Sequence, residues 1–171
     1  MGKFLRYITI TLPIWLVLIA FISCNDTGCM ENRSSIPYVT IYSDSTVPQA
    51  IYIDSLTVYG VGQIGDSMLL DTAMNVSSMY LPLRDDKDTT RFVIRYDQKN
   101  IHPRYKTDTL TFVYHSYVYF ASAECGAMFN YIIDSLGYTT YQLQSAKLVQ
   151  NEITNFSTEN IQLFYHVDQV Q

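Results

Sequence analysis

Cys24, Cys29 and Cys125 are the three cysteines of the chain, and their thiols are the groups whose setting speaks most directly of chemistry. Cys24 ends the stretch Phe21-Ile22-Ser23-Cys24, in which two large apolar residues and a small one precede the thiol. An apolar run from Tyr7 to Ile22 leads into it, and Lys3 and Arg6 stand before that run. A positive start, an apolar middle and a small residue at the cut form the layout of an export signal. With cysteine just after the cut, the stretch has the form of a lipobox, so acylation of Cys24 is expected. Diacyl or triacyl modification supplies the two or more chains that stable anchoring requires. A permanent membrane helix fits less well, because spanning takes about 20 apolar residues and this run is shorter and carries Pro13. N-myristoylation at Gly2 fails, because Arg6 stands where that motif needs Ser or Thr.

Export delivers the other two cysteines to an oxidising compartment, where Cys29 and Cys125 are expected to form a disulfide. Closing a loop approaching 100 residues contributes at most about 4.7 kcal/mol in the chain-entropy picture. Cys125 as a nucleophile would need a base, and nothing marks His115, the nearest histidine in sequence, as its partner. His102, His115 and His166 are far apart and form no i,i+4 pair, so they lack the spacing of a zinc site. The chain has no G-x-S-x-G elbow and no phosphate-binding P-loop. Asp85-Asp86-Lys87-Asp88 resembles the start of a calcium loop but lacks its glycine and distal glutamate, and reads as a solvated hairpin. No catalytic residue, metal or cofactor is expected.

Three segments must position these groups: a signal peptide over 1–23, a lipidated tether over 24–37 and a folded domain over 38–171. The tether (NDTGCMENRSSIP after Cys24) is polar, without apolar period, and ends at Pro37. Asn25 rather than Asp follows Cys24, which favours the outer membrane, with the periplasmic or surface face left open. Losing the leader takes 23 of 171 residues, leaving 148, enough for one domain with a real core. It also takes two basic residues and no acid, so the formal charge moves from −5 to −7. An acidic body argues against nucleic acid as a partner.

Tyr, Thr, Val and Ile outnumber the helix formers, and alternation is frequent. Strands are expected at 38–42, 55–59, 68–73, 78–83, 91–96, 109–115, 117–121, 127–133, 144–149 and 161–167, with a polar loop over 150–160. Phe92, Ile94 and Tyr96 fall on one face against Arg91, Val93 and Arg95, the mark of a strand buried on one side. Pro82 places its strand at an edge or bulge. These ten candidate segments, taken as about eight or nine short strands with frequent turns, predict an all-β fold, an antiparallel, immunoglobulin-like β-sandwich, with a closed barrel as rival.

Charge is uneven along the domain. Arg84, Lys87, Arg91, Arg95, Lys99, Arg104 and Lys106 fall within 23 positions, and tyrosines are interleaved with them. Because Tyr and Arg are enriched at binding hot spots, Arg91, Arg95, Tyr96, Lys99, Arg104, Tyr105 and Lys106 are the candidate partner-binding residues. A hairpin solvated by alternating charges explains the same stretch. The tyrosine excess, including Tyr114, Tyr117, Tyr119, Tyr131, Tyr138 and Tyr141, suits either sheet packing or a platform for a glycan or small ligand. Asp followed by Ser or Thr and then an apolar residue recurs at 54–56, 66–68, 71–73, 108–110 and 134–136, with looser matches at 44–46 and 88–90. The pattern looks like an O-glycosylation acceptor, with loop positions Ser45 and Ser67 the best candidates. Turn formation accounts for it equally.

With the lipobox, the tether cysteine, Leu81-Pro82-Leu83 and Ser122-Ala123-Glu124-Cys125-Gly126 in view, the chain resembles a family of short Bacteroidota outer-membrane lipoproteins of unknown function. The resemblance implies an architecture and an address and carries over no catalytic residue. The expectation is a non-catalytic accessory or scaffold subunit of an integral outer-membrane β-barrel complex, in protein assembly or nutrient uptake. The alternative is a glycan or small-ligand module using exposed tyrosines.

Overall fold

Alternating apolar side chains form the fold strand by strand. The computed structural model describes residues 34–62 and 68–166; the leader, Cys24, Cys29 and Ser67 lie outside them. Ten strands are described: β1 (Tyr38–Ser43), β2 (Leu56–Gly60), β3 (Met68–Ala73), β4 (Ser78–Tyr80), β5 (Thr89–Tyr96), β6 (Thr107–Ser122), β7 (Gly126–Tyr138), β8 (Leu143–Leu148), β9 (Glu152–Ile153) and β10 (Glu159–Tyr165). One sheet has the order β4-β1-β10-β8 and the other β3-β2-β5-β6-β7-β9. Their inner faces meet in one hydrophobic core, to which Val39, Ile41, Leu163, Leu56, Phe92, Phe112 and Ile133 all belong. The fold is an all-β sandwich.

Periodicity explains why β5 and β6 sit at its centre. Phe92, Ile94 and Tyr96 are buried, as are Leu110, Phe112 and Tyr114 across the ladder, while Arg91 turns outward. The Phe92 and Phe112 rings meet edge-on, with centroids 5.7 Å apart, a favourable aromatic geometry.

Several local expectations change. The segments expected at 109–115 and 117–121 are one continuous strand, β6, because Ser116 stays in the ladder opposite Tyr131. β7 runs on to Tyr138 rather than ending near Ile133. β4 stops at Tyr80, two residues before Pro82, which has no N–H to give a ladder. The loop expected over 150–160 contains β9, held by the fully buried Ile153. The wholly antiparallel arrangement also gives way at one place, since β1 pairs with β10 in parallel. Neighbours so far apart in sequence need no hairpin, so nothing local obliges them to run antiparallel.

The sandwich has two distinct ends. At one, which we call the entry end, Ser34–Pro37 leads into β1, Leu81 N–H donates to Pro37 O, and the Ser35 hydroxyl donates to Asn130 Oδ1 at 2.6 Å. At the far end β1 finishes at Ser43 opposite Tyr165, and the hydroxyls of Tyr96 and Tyr165 lie 3.0 Å apart.

Candidate functional site

At the far end a carboxylate is closed in by the fold. Asp108, on β6, is fully buried. Its Oδ1 accepts from the Thr139 hydroxyl at 2.7 Å and Tyr141 N–H at 2.8 Å. Its Oδ2 accepts from Gln142 N–H at 2.8 Å, Leu143 N–H at 2.9 Å and the Tyr96 hydroxyl at 3.2 Å. No cation takes part in these five contacts. Three backbone donors and two hydroxyls fill the lone pairs of an ionised carboxyl, which compensates its burial. Burial, then the nearby Tyr165 and Asp108, pushes the Tyr96 hydroxyl far above its ordinary range, so it stays a proton donor. This arrangement ties the β7–β8 connection to β5, β6 and β10.

That geometry corrects one candidate. Tyr96 is only 2% exposed and its hydroxyl is engaged inside the core, so it cannot contact a partner. Alternation had already placed Tyr96 on the inner face, and that reading prevails over its membership of the basic stretch. The other candidates are divided between β5 and the connection that follows it. Arg91 is exposed on the outer face of β5. Arg95 lies further along that face, and its Nε donates to Asp97 Oδ1 at 2.8 Å. Lys99, Arg104, Tyr105 and Lys106 lie in the far-end connection from β5 to β6. Arg84 is at the entry end, where its backbone N–H meets the Tyr114 hydroxyl and its guanidinium pairs with Asp86. The eight residues of β5 alone span about 27 Å at ~3.4 Å per residue. A run compact in sequence is therefore stretched from one end of the sandwich to the other.

Each histidine has its own polar contact. Arg104 N–H donates to His102 Nδ1 at 3.2 Å, while His115 and His166 lie 3.1 and 3.4 Å from Asp134 and Asp44. Among the described residues no three His, Cys, Asp or Glu side chains converge as metal ligands. Cys125 is buried and disulfide-bonded; the expected partner, Cys29, lies outside the described residues. Ser45 is exposed in the turn after β1, its hydroxyl donating to Val47 O at 2.8 Å. Of the tyrosines, Tyr105 and Tyr141 form an exposed far-end pair with ring centroids 6.0 Å apart, and His102 lies 5.9 Å from Tyr105.

The entry end is built differently. β6 leaves β5 after Val113, and β9 covers β7 only at Tyr131 and Ile132. Beyond that, 117–122 and 126–130 continue as a two-stranded ribbon about 20 Å long at ~3.4 Å per residue. Gly126 closes its turn with a φ of +74°, a left-handed conformation that suits glycine. Cross-strand partners share a face, so Val118 with Phe129 and Phe120 with Ala127 continue the face on which Tyr114 and Ile133 enter the core. Here that face has lost its cover: Val118 is 64% exposed, Phe120 66% and Phe129 41%. A cleft of about 330 Å³, lined among others by Ile36, Leu83, Phe129 and Tyr131, opens where the face leaves the sandwich. On the opposite face Asn130 is buried, accepting from Ser35 and donating to the Tyr117 hydroxyl at 3.3 Å. Sequence reasoning missed this surface by splitting β6 at Ser116; the signal was the unbroken parity of Phe112, Tyr114, Val118 and Phe120.

The sequence model of a family described as a family of unknown function (DUF6452) matches residues 55–165. The chain belongs to that family. The match takes in β2 through β10, and with them both the Asp108 cluster and the ribbon, whereas β1 precedes it. No curated protein and no solved structure matches the chain.

Proposed function

We propose that this member of the family is a lipid-anchored, non-catalytic subunit of a Bacteroidota outer membrane, acting as an accessory or scaffold beside an integral β-barrel. The observation that carries the reading is the apolar leader running into Phe21-Ile22-Ser23-Cys24 and then into a polar stretch before the sandwich. A lipid on Cys24 would hold the domain within a few nanometres of the bilayer, since a linker of about a dozen residues reaches no further. Cys29 and Cys125 form the structural disulfide in this reading, and Ser45 and Ser67 are its O-glycosylation candidates. Supporting the non-catalytic part, the one fully buried carboxylate described, Asp108, is saturated by structural donors. Affinity purification in mild detergents is expected to recover a β-barrel in stoichiometric amount. Recovery of the lipoprotein alone across several detergents would overturn the accessory role, and unchanged membrane partition of Cys24→Ala would overturn the anchor.

A second reading, a glycan-binding module, is favoured by the exposed Tyr105–Tyr141 pair with His102 beside it. Stacking of sugar rings on Tyr141 would then be lost in Tyr141→Ala. A glycan-array signal unchanged in that variant removes this reading.

A further inference from the structure

The uncovered ribbon and the point where the chain enters the sandwich lie together. Ser35 is fixed to Asn130, and Asn130 pairs with Tyr117 at the base of the ribbon. Only residues 25–33 separate Cys24 from the first described residue, Ser34. Ten residue steps of a random coil would have a root-mean-square span of about 16–19 Å, close to the ~17 Å that five strand residues take from Tyr117 to the turn. With Cys29 as the partner of Cys125, five residues or about 18 Å at full extension would separate Cys24 from the turn itself. We propose that the turn and inner face of the β6–β7 ribbon, with Val118, Phe120 and Phe129, rest in the interface of the bilayer that receives the acyl chains. This rests on the anchor reading and adds to it a second, protein-borne contact that fixes how the domain stands.

The chemistry of the surface suits lipid better than an acidic or basic partner. It pairs aliphatic and aromatic side chains, and Tyr119, on the other face of the ribbon, has the ring-and-hydroxyl character favoured at membrane interfaces. Residues 117–130 of the ribbon carry Glu124 and no Lys or Arg, so attraction to anionic headgroups is not what drives the contact. Depth is bounded as well. Strand edges left unpaired cannot enter the hydrocarbon core, and the ribbon has two, so it reaches only the headgroup and upper acyl region, as interfacial elements do.

The chain's one tryptophan, Trp15, is in the leader, so a single introduced tryptophan reports its own surroundings in the processed protein. The full chain is expressed with its leader, and the purified lipoprotein is placed in phosphatidylethanolamine–phosphatidylcholine vesicles with and without brominated acyl chains. Phe120→Trp probes the ribbon, and Val47→Trp, an exposed site at the far end, is the control. The expected result is blue-shifted emission and about twofold or greater quenching by brominated lipid at position 120, with neither at 47. Both substitutions replace exposed side chains, and circular dichroism verifies the fold. Acyl mass on Cys24 and vesicle partition with no quenching at 120 would overturn the ribbon contact while the anchor stands. Absence of acyl mass and of partition would overturn the anchor and this inference with it. A concentration-dependent blue shift at 120 without quenching would overturn it in favour of a second copy of the chain.

Discussion

The two ends of the sandwich bury their most demanding groups by opposite means. At the far end a charged group sits inside the protein because the β7–β8 connection wraps its backbone donors around Asp108. At the entry end an apolar face runs past the last residues able to cover it. The first end is complete in itself, and its interactions belong to stability. The second leaves apolar area that burial would stabilise at about 25 cal/mol per Å², and no described part of the chain provides that burial. Difficulty of burial therefore does not mark function here. The costly charge is structural, and the ordinary Val and Phe side chains carry the prospect of a partner.

Substitutions separate the two ends by size of effect. Asp108→Ala removes the acceptor of three buried N–H groups and two hydroxyls, and should lower the unfolding free energy by about 3–5 kcal/mol in urea titration. A loss under 1 kcal/mol would mean that the far end is not closed as described. Cys125→Ser should lower stability by about 2–4 kcal/mol under oxidising conditions and leave the reduced protein nearly unchanged; equal losses in both states would argue against a stabilising disulfide. Tyr96→Phe deletes the hydroxyl shared with Asp108 and Tyr165 and should cost about 1–2 kcal/mol, again read from denaturant midpoints.

Acid sharpens the contrast further. The hydrogen bond from Arg95, and then that from Thr57, holds the Asp97 carboxyl below its ordinary value. A lowered folded-state value contributes stability that is present above the unfolded carboxyl's pKa of about 3.9 and is lost as pH falls through the folded value. Asp97→Asn should therefore flatten the acid limb of the stability–pH curve below about pH 4, and an unchanged limb would deny Asp97 that role. Phe120→Ser comes last, with a stability change expected within about 0.5 kcal/mol. A loss as large as that of Asp108→Ala would erase the distinction between the two ends.

Much of the fold was legible because strand alternation is a local property. Phe92, Ile94 and Tyr96 declared their inner face, as did Leu110, Phe112 and Tyr114, and each is buried. Errors arose where the deciding contact was distant. Ser116 failed to end β6 because Tyr131 pairs with it, and β9 forms because it pairs with Tyr131 and Ile132 and buries Ile153. The candidate surface was less legible. Within Arg91 to Lys106, strand β5 sets Arg91 apart at about 3.4 Å per residue and turns Tyr96 into the core, whereas Lys99, Arg104, Tyr105 and Lys106 share the far-end connection.

By itself the sequence determined the strand-rich body, the inner and outer faces of its central strands, and the thiol of Cys24 at the end of an apolar run. These depend on residue types at short spacing, which the chain carries wherever it goes. Only the tertiary structure decided that β1 runs parallel to β10, that Tyr96 and Asp108 belong to a closed interior, and that Val118, Phe120 and Phe129 lose their cover beside the entering chain. The physical reason is common to all three. Burial is fixed by what packs opposite a side chain, and that partner can lie anywhere along the sequence.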